Sequence, residues 1–349
     1  MTKTKTSAKL RPTSPARLLP VAAVIVYMAL CAYINYPWLS NADLSRYTLM
    51  FNSIIAATGC FALSRRWITS HMGSLIAGSL YGFSPFALAL SWYHPLAAVP
   101  LAALPWLFCP AAFWRKTHTL AKWLHPNEHS FLGAVTTALL CFIPFAAIYL
   151  FFQFCAYEKI FPIPLQQKLT FSSLYGLVLP LTIRSHQPVF SFYHVPVVAL
   201  VMGGCMYVAL NRPGIAVIAG VSLVLSFLDH LGQVSPVTWT LIPLLFGSIL
   251  AGLGAEGLAW AGPSDRKWIL LCAAVPAVFS AACLYLWPGA TSAYRDTAAL
   301  YAAAAALAAT IYFLTRANLR LHPLRWLIIC AGIGVDIAFS AAKILGSIR

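Results

Sequence analysis

Acidic side chains are scarce in this chain: eight Asp and Glu stand among 349 residues, against 23 Lys and Arg. Charged residues of all kinds make up only 9% and hydrophobic ones 60%, with a mean hydropathy of +0.79. A soluble domain needs about a quarter of its residues charged, so a water-soluble globular fold is excluded. None of the nine cysteines stands in a CxxC pair, which leaves no sign of a zinc site or a disulfide framework.

What the chain does have is apolar runs. A bilayer core about 30 Å thick is crossed by about 20 apolar residues in a helix, and runs of that order recur at 18–36, 47–63, 72–90, 96–113, 131–154, 195–210, 215–228, 237–259, 268–287, 298–314 and 326–345. This pattern predicts an all-α fold, a polytopic transmembrane helix bundle of about 11 helices. The breaks carry Pro, Asn and Gly, as in Asn211-Arg212-Pro213-Gly214, and belts of Trp and Tyr. Residues 82–106 contain no charged side chain, but Trp92-Tyr93-His94-Pro95 interrupts them. That cluster reads as a hairpin turn over residues 91–95, with Pro95 at the first position of the next helix, where its missing N–H costs nothing.

Lys and Arg collect in cytoplasmic loops. With the N-terminus inside, sixteen of the 23 fall in inner segments and seven in outer ones, which predicts an inside N-terminus and an outside C-terminus. Residues 1–17 read as a basic, disordered cytoplasmic tail, and 18–349 as one transmembrane helical domain whose first span is a signal anchor. The net charge of +15 is spread over many short loops beside apolar spans. It therefore points to membrane lipids as partners and not to nucleic acid. The span at 215–228 is short, suited to a half-helix or a tilted core helix screened by its neighbours. Gly78 and Gly82 make a GxxxG face, and Ser248 and Gly252 repeat the spacing, as expected where helices approach closely.

Function has to come from the few ionisable groups, because a charge in hydrocarbon costs several kcal/mol unless paired or wet. Asp43, in the first outer loop with Arg46, reads either as a cap for the second span or as a carboxylate acting as general base or cation ligand. Asp229-His230 ends the seventh span on the same side, as a cap and interface anchor or as a metal or proton-relay pair. Glu256, one turn from the inner end of its span, reads as structural. Asp336 lies mid-helix; Lys343, seven residues on, is about 10 Å away along the axis, so Asp336 must find another partner or be neutral, and it is a candidate for proton coupling. His94 heads the outer turn, and Arg184 and His186 stand in the long outer segment near Leu-Tyr-Gly-Leu-Val-Leu-Pro-Leu, an apolar patch too short to span. These cations are placed to hold a phosphate near lipid headgroups.

The run GCFALSRRWITSHMGSLIAGSLYGFSPFALALSWYHPLAAVPLAALPW resembles a segment of GT-C-type polytopic membrane glycosyltransferases. In these, a helix ending in paired basics precedes a small-residue helix, an FSP element, a His and a proline-rich helix. The resemblance implies transfer of a sugar from a polyprenyl-phosphate carrier at the outer face of the membrane, with the acid of the first outer loop, here Asp43, as the catalytic group. Arg184, with His94 or His186, would face the leaving phosphate. No cofactor is certain; a divalent cation is the one this chemistry admits. The localisation implied is the bacterial inner membrane. The chain also fits a non-catalytic accessory or structural subunit of a larger membrane complex, or a transporter, for which intramembrane Asp336 and the short seventh span speak.

Overall fold

A computed structural model of the chain describes residues 14–36, 44–117, 131–158, 168–171, 193–210, 213–286, 292–317 and 321–348. Among these the regular structure is helical, with one isolated bridge between Leu231 and Val234. The α-helices are α1 (Ser14–Asn35), α2 (Leu44–Ser64), α3 (His71–Gly82), α4 (Pro85–Tyr93), α5 (Ala98–Thr117), α6 (Phe131–Tyr157), α7 (Val195–Leu210), α8 (Pro213–Phe227), α9 (Leu241–Trp260), α10 (Arg266–Leu286), α11 (Ser292–Arg316) and α12 (His322–Ile348). With α3 and α4 taken as one broken crossing, the described residues form eleven helical segments. Seven are long and apolar enough to cross a membrane, and four more are apolar but shorter.

The span at 72–90 is the one the structure divides. Ser84 adopts an extended conformation and its side chain accepts the Ala87 N–H, capping α4, while Pro85 occupies the first turn. Pro85 cannot donate to the preceding turn and pushes the residue before it out of the helical region, so Gly-Phe-Ser-Pro splits an otherwise uniform apolar run. The turn at residues 91–95 is present as the sequence suggests: His94 closes α4, and a 3₁₀ turn at Pro95–Ala97 leads into α5. The short span near 215–228 becomes α8, but Val217, Val221 and Val224 face outward, so it is not screened by its neighbours. Its inner face is tied to the following 3₁₀ turn, Pro236–Thr240, where Ser222 donates to the Trp239 carbonyl at 2.6 Å.

Helix α9 is the axis of the bundle, in contact with α2, α3, α5, α7, α8 and α12. Its larger residues, Leu241 to Phe246 among them, enter one apolar cluster with α2, α5 and α6, while Ala251, Ala255 and Ala259 enter a second with α1, α7, α11 and α12. Small residues let backbones meet. A Cβ on Gly252 would lie 2.5 Å from the Gly73 carbonyl, one on Gly78 2.5 Å from that of Ala57, and one on Gly82 2.6 Å from that of Ser53. The GxxxG face thus joins α3 to α2, and the repeat at Gly252 joins α9 to α3. Outward, Ile25, Phe51, Leu139, Phe142 and Leu327 are exposed, an apolar surface suited to hydrocarbon.

Helix ends sort into two groups. At one, Glu256 near the end of α9 accepts the Thr69 and Ser70 N–H groups at 3.0 and 3.1 Å, and the Thr69 hydroxyl, ahead of α3. There too, at the start of α12, Arg325 donates to the Ala261 carbonyl at 2.7 Å and His322 pairs with the Ala259 carbonyl at 3.1 Å. Glu256 thus holds this loop against the end of α9, in keeping with the structural reading of the sequence. At the other end, His94 packs on Phe152, Gly232 approaches Gln153, and Lys343 pairs with Asp296. Antiparallel succession through apolar solvent requires this alternation.

Adjacent glycines of α7 test the packing. A Cβ on Gly203 would lie 2.0 Å from the Leu250 carbonyl of α9, whereas one on Gly204 meets nothing within 4 Å. Gly203→Ala is expected to destabilise the protein by about 2 kcal/mol or more through the forced separation of α7 and α9, and Gly204→Ala to stabilise it by about 0.5–1 kcal/mol. Thermal unfolding in detergent checks both.

Candidate functional site

A fully buried polar cluster is built where three chain segments meet. Asp336, midway along α12, is fully buried. Its Oδ1 lies 3.0 Å from His194 Nδ1 and accepts the Ser340 hydroxyl at 2.9 Å, and its Oδ2 accepts the Val195 N–H at 2.7 Å. Val195 is the first residue of α7, so the carboxylate caps that helix from outside, supplying an acceptor to an N–H with no partner of its own and sitting at the positive end of the helix dipole. A backbone N–H, a hydroxyl and a ring nitrogen thus converge on one carboxyl group.

His194 is equally enclosed, its ring edge-on to Tyr301 of α11 at 4.9 Å between centroids; Tyr301 in turn meets Phe279 of α10. With Nδ1 held by Asp336, His194 Nε2 has no hydrogen-bond partner among the described residues. The preceding residue, Tyr193, donates from its hydroxyl to the Phe83 carbonyl at the α3–α4 break, so the same two residues tie the broken helix to α12. The enclosed imidazole–carboxylate pair joins the start of α7 to the middle of α12. It has the layout of a clamp, because a buried pair loses about 3–5 kcal/mol when one partner is removed.

His94 closes α4 with its N–H on the Leu90 carbonyl at 2.7 Å, and its ring packs on Phe152 of α6 at 5.6 Å. It is 1% exposed, and its Nε2 has no partner among the described residues. Burial pushes its pKa down from 6.5 to about 4, so at neutral pH it is an uncharged hydrogen-bonding group. Asp229 is 87% exposed at its side chain and pairs with Lys168 at 2.9 Å; the hydrogen bond and charge of Lys168 hold its carboxyl below the usual carboxylate range. His230 turns instead to the Gly232 carbonyl at 3.0 Å, within a turn where Gly232 takes a left-handed φ of 60° and lies against Gln153. Phe152 and Gln153 are neighbours on α6, so the structure brings His94 and the Asp229 turn to one end of the bundle, but Asp229 and His230 are engaged separately.

Asp43, Arg184, His186 and the apolar patch at 174–181 lie outside the described residues. Among the described residues, no group of three His, Cys, Asp or Glu side chains is arranged to hold a metal ion. Asp336 finds in His194 the further partner that the sequence reading requires, and Lys343 pairs with Asp296. His194 was not singled out from the sequence. The available signal was a Tyr-His pair immediately before an apolar run, in a chain whose mid-helix acid still needed a donor.

Comparison with known proteins gives no match at the level of family models, curated proteins or solved structures.

The His94 burial carries a pH dependence. Its folded-state pKa lies below the unfolded value, so on acidification the unfolded chain is protonated first. Its contribution is undiminished above about pH 6.5 and is lost between there and about pH 4, amounting to about 3 kcal/mol in full. The unfolding midpoint of the wild type is expected to fall more steeply over that range than that of His94→Gln, measured side by side in detergent.

Proposed function

We propose that this chain is a multi-pass protein of the bacterial inner membrane, N-terminus inside and C-terminus outside. It acts in the manner of GT-C-type glycosyltransferases on a polyprenyl-phosphate sugar at the outer face. The observation that carries this reading is the form taken by the segment that resembles those enzymes. Its FSP element makes a capped break, and its His makes a second turn at the end of the bundle where α2 begins at Leu44 and where Asp229 and Lys168 stand. A helix pair bent in this way brings irregular backbone and polar side chains to one mouth, the arrangement an acceptor and a lipid-linked donor need in order to meet.

In this reading Asp43 takes the proton of the acceptor hydroxyl as it attacks the sugar carbon, and the bond to the carrier phosphate breaks. Arg184 and His186 stabilise the charge that develops on that phosphate, with a divalent cation admitted in the same role. His94, neutral and enclosed, acts as a positioning group for the α4–α5 turn. A second reading, a transporter or a non-catalytic subunit of a larger membrane complex, is favoured by the His194–Asp336 pair, because an acid–imidazole pair inside a helix bundle marks a proton pathway or an assembly clamp.

Purified protein incubated with a radiolabelled polyprenyl-phosphate sugar and an acceptor extract is expected to transfer label. Asp43→Asn is expected to lose about 100-fold or more of the rate, the scale of a general base. Absence of transfer and of donor binding, together with stoichiometric copurification of other membrane subunits, would establish the second reading in its place.

A further inference from the structure

A cavity of about 330 Å³ opens between the C-terminal end of α2 and helices α5, α6, α8 and α9. Its lining is mostly apolar, with Trp67, Phe108, Ile218 and Phe246, and includes the Thr137 hydroxyl and one cation, Arg66. Among the described residues the Arg66 side chain has no hydrogen-bond acceptor and no acidic partner. The acids described at this end of the bundle are engaged elsewhere, Glu256 with Thr69 and Ser70 and Asp265 with the Gly262 N–H. The guanidinium thus keeps its five donors beside a mostly apolar cavity, in a surface suited to hydrocarbon.

We propose that this cavity holds one acyl chain of an anionic phospholipid whose phosphate rests on Arg66. At about 30 Å³ per methylene-sized group, taken as a water's share of liquid volume, the cavity admits roughly eleven such groups, most of an acyl chain. Arg matches a phosphate with two parallel hydrogen bonds, stronger than those to a neutral acceptor. Gly214 lines the cavity in the first turn of α8, whose positive dipole end adds to the attraction. The site lies at the end of the bundle opposite His94 and Asp229 and does not depend on the glycosyltransferase reading.

The test is native mass spectrometry of the purified full chain with equimolar phosphatidylglycerol and phosphatidylcholine of identical acyl chains. Wild type is expected to retain the anionic lipid about tenfold over the zwitterionic one, a preference that Arg66→Ala abolishes and Arg66→Lys keeps in part. Gly214→Leu, at a position where an added Cβ meets nothing within 4 Å, fills the cavity and lowers retention of both lipids with Arg66 intact. Excess inorganic phosphate leaves the bound lipid in place, because the acyl chain holds it. Equal retention of the two lipids by wild type, an unchanged preference in Arg66→Ala, undiminished retention in Gly214→Leu, or displacement by phosphate alone would each overturn the proposal. Helicity matching wild type certifies the variants as folded, and Gly214→Leu keeps the test decisive if Arg66→Ala is not.

Discussion

A carboxyl group kept from water has to find its hydrogen-bond partners in the chain itself, and Asp336 has three: the Val195 N–H, the Ser340 hydroxyl and His194 Nδ1. That requirement fixes more than one residue. It sets where α7 begins, because the carboxylate serves as its cap. It holds His194 against Tyr301, and through neighbouring Tyr193 it couples α12 to the broken crossing formed by α3 and α4. An acid in hydrocarbon without such a shell costs several kcal/mol, so the α4–α7–α12 junction is the arrangement on which the surrounding packing depends.

The same scarcity of water explains the other polar details. Where a helix is interrupted, its loose backbone groups are taken up nearby: Ser84 accepts the Ala87 N–H, and Tyr193 supplies a hydrogen bond to the Phe83 carbonyl. Where a loop must close beside the C-terminal end of α9, Glu256 accepts backbone N–H groups on its behalf. Between these points the bundle is held by shape. Gly73 and Gly252, and Gly203 and Gly254, bring α9 into backbone contact with α3 and α7, the means available when lipid tails remove the hydrophobic drive between helices.

Much of this was legible in the residues, because hydrophobic length is a direct physical demand of the bilayer. The span at 195–210 coincides with α7, the turn around His94 stands where Trp92-Tyr93-His94-Pro95 suggests, and the spacing of Gly78 and Gly82 marks a true helix contact. The split at Phe83 was written in Ser84-Pro85 but masked by the apolar run around it, since hydropathy averages over the two residues that break the helix. The partner of Asp336 was illegible for a different reason. A contact between residues 142 positions apart follows from how α7 and α12 lie together, which no local pattern encodes. Of the candidate site, His94 and the Asp229 turn reach a common end, as alternation of the spans implies. Within that turn Asp229 and His230 make separate contacts, with Lys168 and with the Gly232 carbonyl.

The most direct measurement is a double-mutant cycle of Asp336→Ala and His194→Ala on unfolding free energy in detergent. A self-supplied shell around Asp336 predicts a loss of about 3–5 kcal/mol for Asp336→Ala alone. It also predicts a coupling energy between the two sites toward the upper part of the 0.5–3 kcal/mol range for residues in contact. Additive effects, or an Asp336→Ala protein as stable as wild type, would contradict it.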